Sequence, residues 1–153
     1  MNVQLEKYQS IPDDDISKFE ADLKVSFPPD YREFVSKYDG ATPEENVFEN
    51  DANVSVDRFI PISQMKRRAS GVEGLPPDAL PIAEAPSGNF IYLRKSDFSV
   101  WFWDHEIESG DKELASSFDR FMQKLVPFDI DSIQLQPGQV KSVWVDPDFK
   151  PEF

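Results

Sequence analysis

Apolar residues recur at every third or fourth position in three stretches of the chain, and this spacing predicts three amphipathic helices. The stretches cover residues 13–25, 31–40 and 111–125. The second follows a pair of prolines and ends at Gly40, a residue that readily takes the left-handed conformation found after helices. The apolar stripe of the third stretch consists of Leu114, Phe118, Phe121, Met122 and Leu125.

Shorter apolar or alternating runs predict strands in the middle of the chain. Residues 79–85 form one such run, and Pro81 favours an edge position because proline cannot donate a hydrogen bond to a sheet ladder. Residues 90–93 and 99–104 flank a turn and predict an antiparallel hairpin. The remaining predictions are short strands at 46–50, 53–56 and 58–62, one or two helical turns at 63–70, and a terminal extension at 126–153 that can form a hairpin.

The segment Val100 to Glu106, VWFWDHE, combines the densest aromatic cluster with the only histidine of the chain. Because side chains alternate across a strand, Val100 and Phe102 lie on one face, while Trp101 and Trp103 lie on the other. Both faces are therefore apolar. This pattern is consistent with a strand that is covered on both sides, and equally with one aromatic face that is open to a partner.

The composition is typical of one folded domain. The chain has 153 residues, of which 39% are hydrophobic and 13 are phenylalanine, so it can bury one sizeable core, and we predict a single domain over residues 1–153. The absence of cysteine excludes disulfides and thiolate chemistry. The sequence shows neither a signal peptide nor an apolar run of membrane-spanning length, so we expect a cytoplasmic protein.

The charge balance bears on the partners of the protein. A formal net charge of -13, from 29 acidic and 16 basic residues, argues against direct binding to nucleic acid or to an anionic membrane, because both require clustered Lys and Arg. The one concentrated basic patch, at residues 63–70, can bind an acidic group or form a solvated helix face, and the second interpretation is favoured. The acidity instead favours basic or neutral partners.

An enzyme would have to be built around His105. Flanked by Asp104 and Glu106, it could serve as a general base in a small hydrolase. Adjacent residues on a strand diverge, however, and a polar strand end that leads into a turn accounts for the same residues. We therefore predict no catalytic residue, no metal site and no cofactor.

Several motifs resemble one known family in their order along the chain. The opening segments are Phe19 to Leu23, then Phe27 to Tyr31 with Phe34, and the helix stop at 38–40. In this order they resemble the opening of the SUKH superfamily, which includes fungal cell-wall assembly regulators and bacterial toxin-immunity proteins. Later segments resemble that family's Gly-Asn turn, its aromatic strand and its closing helix. These segments are residues 80–93, 100–106 and 113–125.

The resemblance covers residues 13–125, whereas the segments 63–70 and 126–153 match nothing family-wide. It implies an α+β fold in which a largely antiparallel sheet packs against helices. It also implies a binding role without catalysis, as in immunity proteins that block a nuclease or deaminase toxin. The alternative that it leaves open is a regulatory scaffold module of the cell-wall regulator type.

Partner contact is expected around the aromatic hairpin. Tryptophan and tyrosine give large rigid contacts with a polar group, and Asp or Glu residues near them would attract a basic toxin domain. The predicted partner-binding residues are Tyr92, Trp101, Trp103, Asp97, Asp104 and Glu106.

Overall fold

The computed structural model describes residues 3–49, 51–107 and 111–126. Within these residues the chain forms four helices and ten strands. The helices are α1 (Asp13–Leu23), α2 (Pro29–Tyr38), α3 (Ile62–Gly71) and α4 (Phe118–Gln123). The strands are β1 (Leu5–Glu6), β2 (Thr42–Pro43), β3 (Val47–Phe48), β4 (Asp51–Ser55), β5 (Arg58–Phe59), β6 (Ala79–Glu84), β7 (Phe90–Arg94), β8 (Val100–Trp103), β9 (Lys112–Ala115) and β10 (Leu125–Val126).

The largest sheet has five antiparallel strands in the order β5-β6-β7-β8-β9. The β7–β8 hairpin predicted from the sequence is confirmed, and it lies at the centre of this sheet. Two smaller antiparallel sheets, β10-β3-β4 and β1-β2, complete the strand pairing of the described residues. The predicted α+β class, with a largely antiparallel sheet packed against helices, is therefore confirmed.

One face of the five-stranded sheet packs into the main hydrophobic core. This face contributes Ile91, Leu93, Val100 and Phe102, which are buried together with apolar residues of all four helices. Aromatic rings from different elements meet there, and the Phe34 ring of α2 lies 5.0 Å from the Phe118 ring of α4. The amphipathic residues that predicted the helices thus form a single core.

The single helix predicted over 111–125 is wrong. Residues 112–115 form β9, which pairs with β8, and the helix begins only at Phe118. Ser117 separates β9 from α4. Its Oγ accepts a hydrogen bond from the Arg120 N–H (3.2 Å) and thereby caps the start of α4. The apolar stripe nevertheless marks core positions, since all of its residues are buried.

The edge position predicted for residues 79–85 is also wrong, because β6 lies between β5 and β7. The register of β6 against β7 shifts between Pro81 and Ala83. Such irregularities allow a strand to accommodate a residue that lacks an N–H. On the other side, β5 pairs with Ala83 and Glu84, so Pro81 lies beyond the paired part of that neighbour.

Other local predictions agree with the structure. Gly40 has a φ of +76° and follows α2, as predicted. A Cβ atom at this position would lie only 3.2 Å from the Pro61 ring, so a side chain would be crowded there as well as strained. The basic segment 63–70 is helical and forms most of α3.

The hairpin proposed within 126–153 lies outside the described residues, apart from Val126 at the end of β10. Among the described helices, none combines the length and apolar character that crossing a membrane requires.

Asp39 joins α2 to α3. Its side chain is 3% exposed, and its Oδ1 accepts a hydrogen bond from the Ile62 N–H at the start of α3 (2.8 Å). Burial raises the pKa of Asp39, while the Ile62 N–H and the charge of Arg58 oppose this effect. The carboxyl group therefore satisfies a helix N–H at the expense of partial desolvation of its own charge.

We predict that Asp39→Ala lowers the free energy of unfolding by about 1–3 kcal/mol, because it leaves the buried Ile62 N–H without an acceptor. Asp39→Asn keeps the acceptor oxygen, so it should cost less. Urea denaturation of the two variants against wild type measures the difference.

A comparison of wild type with Asp39→Asn also tests the raised pKa of Asp39. Because its pKa is raised, Asp39 binds a proton more tightly in the folded state than in the unfolded state. Protonation of Asp39 therefore adds to the free energy of unfolding at low pH, and this contribution is lost as the pH rises from about 4 towards neutrality. The stability of wild type relative to Asp39→Asn should fall over that range. A difference that is constant with pH would contradict this interpretation.

Candidate partner-binding site

Two aromatic pairs face each other across β7 and β8, on the side of the sheet away from the main core. The register pairs Phe90 with Trp103 and Tyr92 with Trp101. The ring centroids lie 6.1 Å apart in the first pair and 6.4 Å apart in the second, in which the ring planes are inclined by only 10°. Strand alternation places these four side chains on the second face, since their neighbours in sequence point into the main core.

The chain itself covers the Trp103 end of this face. Trp103 is 5% exposed, and it packs in a small cluster with Val72 and Leu75 from the segment that follows α3. A Cβ at Gly74 would lie 3.5 Å from the Trp103 ring, so the segment lies directly on the indole. At this end the second face is therefore a small core.

Trp101, at the other end, is only partly buried. Its Nε1–H donates a hydrogen bond to Ser99 Oγ (2.7 Å), and the Ser99 hydroxyl donates in turn to Asp97 Oδ1 (2.6 Å). Ser99 is 2% exposed, so it is a buried link between the indole and the carboxylate. This chain of hydrogen bonds fixes the orientation of the Trp101 ring.

Arg94 lies over the Trp101 ring, with its guanidinium carbon 4.7 Å from the ring centroid. Asp97 holds the guanidinium in place by accepting hydrogen bonds from Nη2 (2.7 Å) and Nε (3.2 Å). These bonds, followed by those from Ser99, hold the pKa of Asp97 well below its usual range. We refer to Tyr92, Arg94, Asp97, Ser99 and Trp101 as the Trp101 platform.

Further carboxylates surround the Trp101 platform. The Tyr92 hydroxyl donates a hydrogen bond to Asp111 (2.7 Å), and Glu113 of β9 pairs with Trp101 in the sheet register. Burial raises the pKa of Tyr92, and the Asp111 hydrogen bond and the charge of Asp78 raise it further. The hydrogen bond to Asp97 raises the pKa of Arg94, and the charges of Asp78 and Glu113 add to this effect. Four carboxylates thus act on a region that contains one arginine.

The structure brings together three of the six residues predicted for partner binding. Tyr92, Trp101 and Asp97 meet in the Trp101 platform, although Tyr92 is buried beneath the surface. Trp103 lies under the segment after α3. The other two, Asp104 and Glu106, follow the opposite end of β8, where Asp104 Oδ1 accepts the Glu106 N–H (3.0 Å).

Sequence reasoning missed Arg94, Ser99, Asp78, Asp111 and Glu113. Strand alternation could have found Arg94, since it lies two residues after Tyr92 and therefore on the same face. Glu113 was missed because residues 111–125 were predicted to form one helix. The positions of Ser99, Asp78 and Asp111 follow from turns and loops that carry no periodic signal.

His105 is held by an amide group. Its Nδ1 lies 2.8 Å from Asn89 Oδ1, which also accepts the His105 backbone N–H (3.1 Å). Asn89 follows a short 3-10 turn at Pro86–Gly88, and the imidazole lies against Gly88. In the described part of the chain, no group of three or more His, Asp or Glu side chains is arranged to hold a metal ion.

The antiparallel sheet, its helical cover and the arrangement of the sequence motifs define an α+β protein of the SUKH type. The family model described as the SMI1 / KNR4 family (SUKH-1) matches residues 10–124, and the chain belongs to this family. The chain is also similar to the SPbeta prophage-derived uncharacterized protein YokK of Bacillus subtilis (strain 168). The two sequences are 24% identical over an alignment of 161 positions, gaps included, and this alignment covers 86% of this chain and 84% of that protein.

We predict that Ser99→Ala lowers the free energy of unfolding by about 1–3 kcal/mol, because the change removes a buried hydroxyl that both accepts from Trp101 and donates to Asp97. The matched control is Ser96→Ala, an exposed serine in the same turn, which should change stability by less than about 0.5 kcal/mol. Urea denaturation measures both variants. Equal effects would show that the hydroxyl link does not hold the Trp101 platform.

Proposed function

We propose that this protein is an immunity protein, which binds a cognate toxin domain stoichiometrically in the cytoplasm and neutralises it without catalysis. Membership of the SUKH-1 family supports a role of this kind. The observation that carries the proposal is the Trp101 platform, a partly exposed tryptophan that is fixed by hydrogen bonds and surrounded by carboxylates. Such rigid aromatic residues dominate the binding energy of many protein interfaces.

The charge of the chain supports a basic partner. Toxins that cut or modify nucleic acid, such as nucleases and deaminases, need basic clefts for their substrate. A protein with a formal net charge of -13 would associate rapidly with such a cleft and could occupy it in place of the substrate. Inhibition of this kind requires affinity alone.

The surroundings of His105 support a non-catalytic role. A general base is commonly oriented by a carboxylate, whereas His105 is held by the Asn89 amide. Asp104 uses one carboxylate oxygen to accept the Glu106 N–H of its own turn. This pattern describes a structured strand end, which is the interpretation favoured over a small hydrolase.

The family also includes fungal cell-wall assembly regulators, so a regulatory scaffold is the competing function. We take the prophage origin stated in the name of the Bacillus subtilis relative as support for the toxin-linked role. The two functions differ in their partner, which is a toxin in one case and a cellular protein in the other.

We predict that a toxin domain is encoded beside the gene of this chain, and that co-expression of the chain protects a bacterial host from that toxin domain. The two purified proteins should form a stable complex of one copy each, and the association rate should fall as salt is added, because salt screens the attraction between opposite charges. Cell survival, light scattering and surface plasmon resonance measure these quantities.

A toxin domain from an unrelated system is the control, and it should be neither bound nor neutralised. The proposal is wrong if the chain neither binds the neighbouring toxin domain nor protects cells from it.

A further inference from the structure

The surroundings of the Trp101 platform carry an excess of negative charge. Arg94 neutralises Asp97 through two hydrogen bonds. Asp78 directly precedes Ala79, which pairs with Arg94 in the sheet register, and the Asp78 carbonyl accepts the Lys95 N–H (2.8 Å). Asp111 accepts the Tyr92 hydroxyl, and Glu113 pairs with Trp101 in the register. Among the described residues, these three acids form no ion pair. A partner that approaches this part of the sheet therefore meets three carboxylates that it can pair with.

The Trp101 ring already binds a cation. Arg94 lies 4.7 Å from the ring centroid, a distance at which an aromatic face attracts a guanidinium. This internal contact shows which chemistry suits the surface, namely a planar or compact cation whose apolar stem can lie along aromatic rings. A lysine or arginine side chain of a partner has this chemistry.

The Trp101 platform is also organised before any partner arrives. Its side chains lie on β7, on β8 and in the turn between them, and Ser99 and Asp97 hold the indole and the guanidinium in place. A surface that is already ordered loses little conformational entropy on binding, and more of the contact energy therefore appears as affinity.

A groove between α2 and α4 is the rival surface. It has a volume of about 570 Å³, an apolar floor that includes Phe34, Phe118 and Met122, and an acidic rim. The rim acids are largely used within the fold, since Glu33 pairs with Lys37 (3.0 Å) and Asp30 Oδ2 accepts the Asp119 N–H (3.0 Å). The groove lies on the helical side of the sheet, opposite the Trp101 platform.

We infer that the Trp101 platform is the docking surface for the toxin, and that a lysine or arginine of the toxin binds beside Trp101 and pairs with Glu113, which lies opposite Trp101 in the sheet register, while Asp78 adds negative charge to the same surface. This inference rests on the proposed function and adds to it the surface, the chemistry of the contacting group and the residues that receive it. Asp111 adds negative charge to the same surface while it holds the Tyr92 hydroxyl.

The test compares two double variants that remove the same charge from the two surfaces. The platform variant, Asp78→Asn/Glu113→Gln, changes two carboxylates around the Trp101 platform. The groove variant, Glu33→Gln/Asp119→Asn, changes two carboxylates at the rim of the groove. Their affinities for a catalytically inactive form of the toxin domain encoded beside the gene are measured by titration calorimetry at low and high salt. Thermal denaturation confirms that both variants remain folded.

We expect the platform variant to bind at least about tenfold more weakly than wild type at low salt, with a smaller loss on adding salt, because the partner cation has lost its carboxylates. The groove variant should bind within about twofold of wild type. Trp101→Leu should weaken binding as well, while Ile107→Ala, at an exposed apolar residue beyond β8, should not.

The inference is overturned if wild type binds and neutralises the toxin while the platform variant binds equally well. It is overturned in favour of the groove if only the groove variant loses affinity. In both of these results the proposed function stands. A wild-type chain that binds no toxin would instead refute the proposed function, and the inference with it.

Discussion

The antiparallel pairing of β7 with β8 in a single register is the constraint on which the rest of the structure depends. This register places Ile91, Leu93, Val100 and Phe102 on one face and the four other aromatic residues on the opposite face. A shift of one residue in either strand would turn the core residues of that strand to the opposite face, away from the helices that cover them. The main core and the Trp101 platform therefore depend on the same hydrogen-bonded ladder.

The two ends of the second face have different roles because the chain covers them differently. The segment after α3 closes the Trp103 end, and Arg68 reinforces it by pairing with Glu84 (2.7 Å) and lying over Phe90. At the Trp101 end the cover is one arginine, which Asp97 holds in place. In our proposal the first end stabilises the sheet, and the second presents a rigid aromatic and acidic surface to a toxin.

Much of the fold could be predicted from the sequence, because periodicity reports burial. The helices at 13–23 and 29–38 and the central hairpin follow directly from the spacing of apolar residues. Residues 111–125 misled the same reasoning, because Leu114 fits a helical stripe and also the buried side of a strand, and only the pairing with β8 decides between them. Pro81 misled it because a bulge can replace an edge position.

The candidate site was less predictable than the fold. Tyr92, Trp101 and Asp97 could be identified by residue type, whereas their arrangement depends on Arg94 and Ser99, which are ordinary residues until the hairpin closes. The surrounding acids come from three separate parts of the chain, at positions 78, 97 and 111–113. Tertiary structure alone brings such residues together.

In our proposal the toxin covers the Trp101 side of the sheet. Hydroxyl-radical footprinting with and without the bound toxin domain tests it directly, because the oxidation rate of a side chain reports its exposure. Trp101 lies in the Trp101 platform, and Tyr38 lines the groove between α2 and α4. Binding of the toxin should slow the oxidation of Trp101 and leave that of Tyr38 unchanged. Protection of Tyr38 without protection of Trp101 would show instead that the toxin covers the groove.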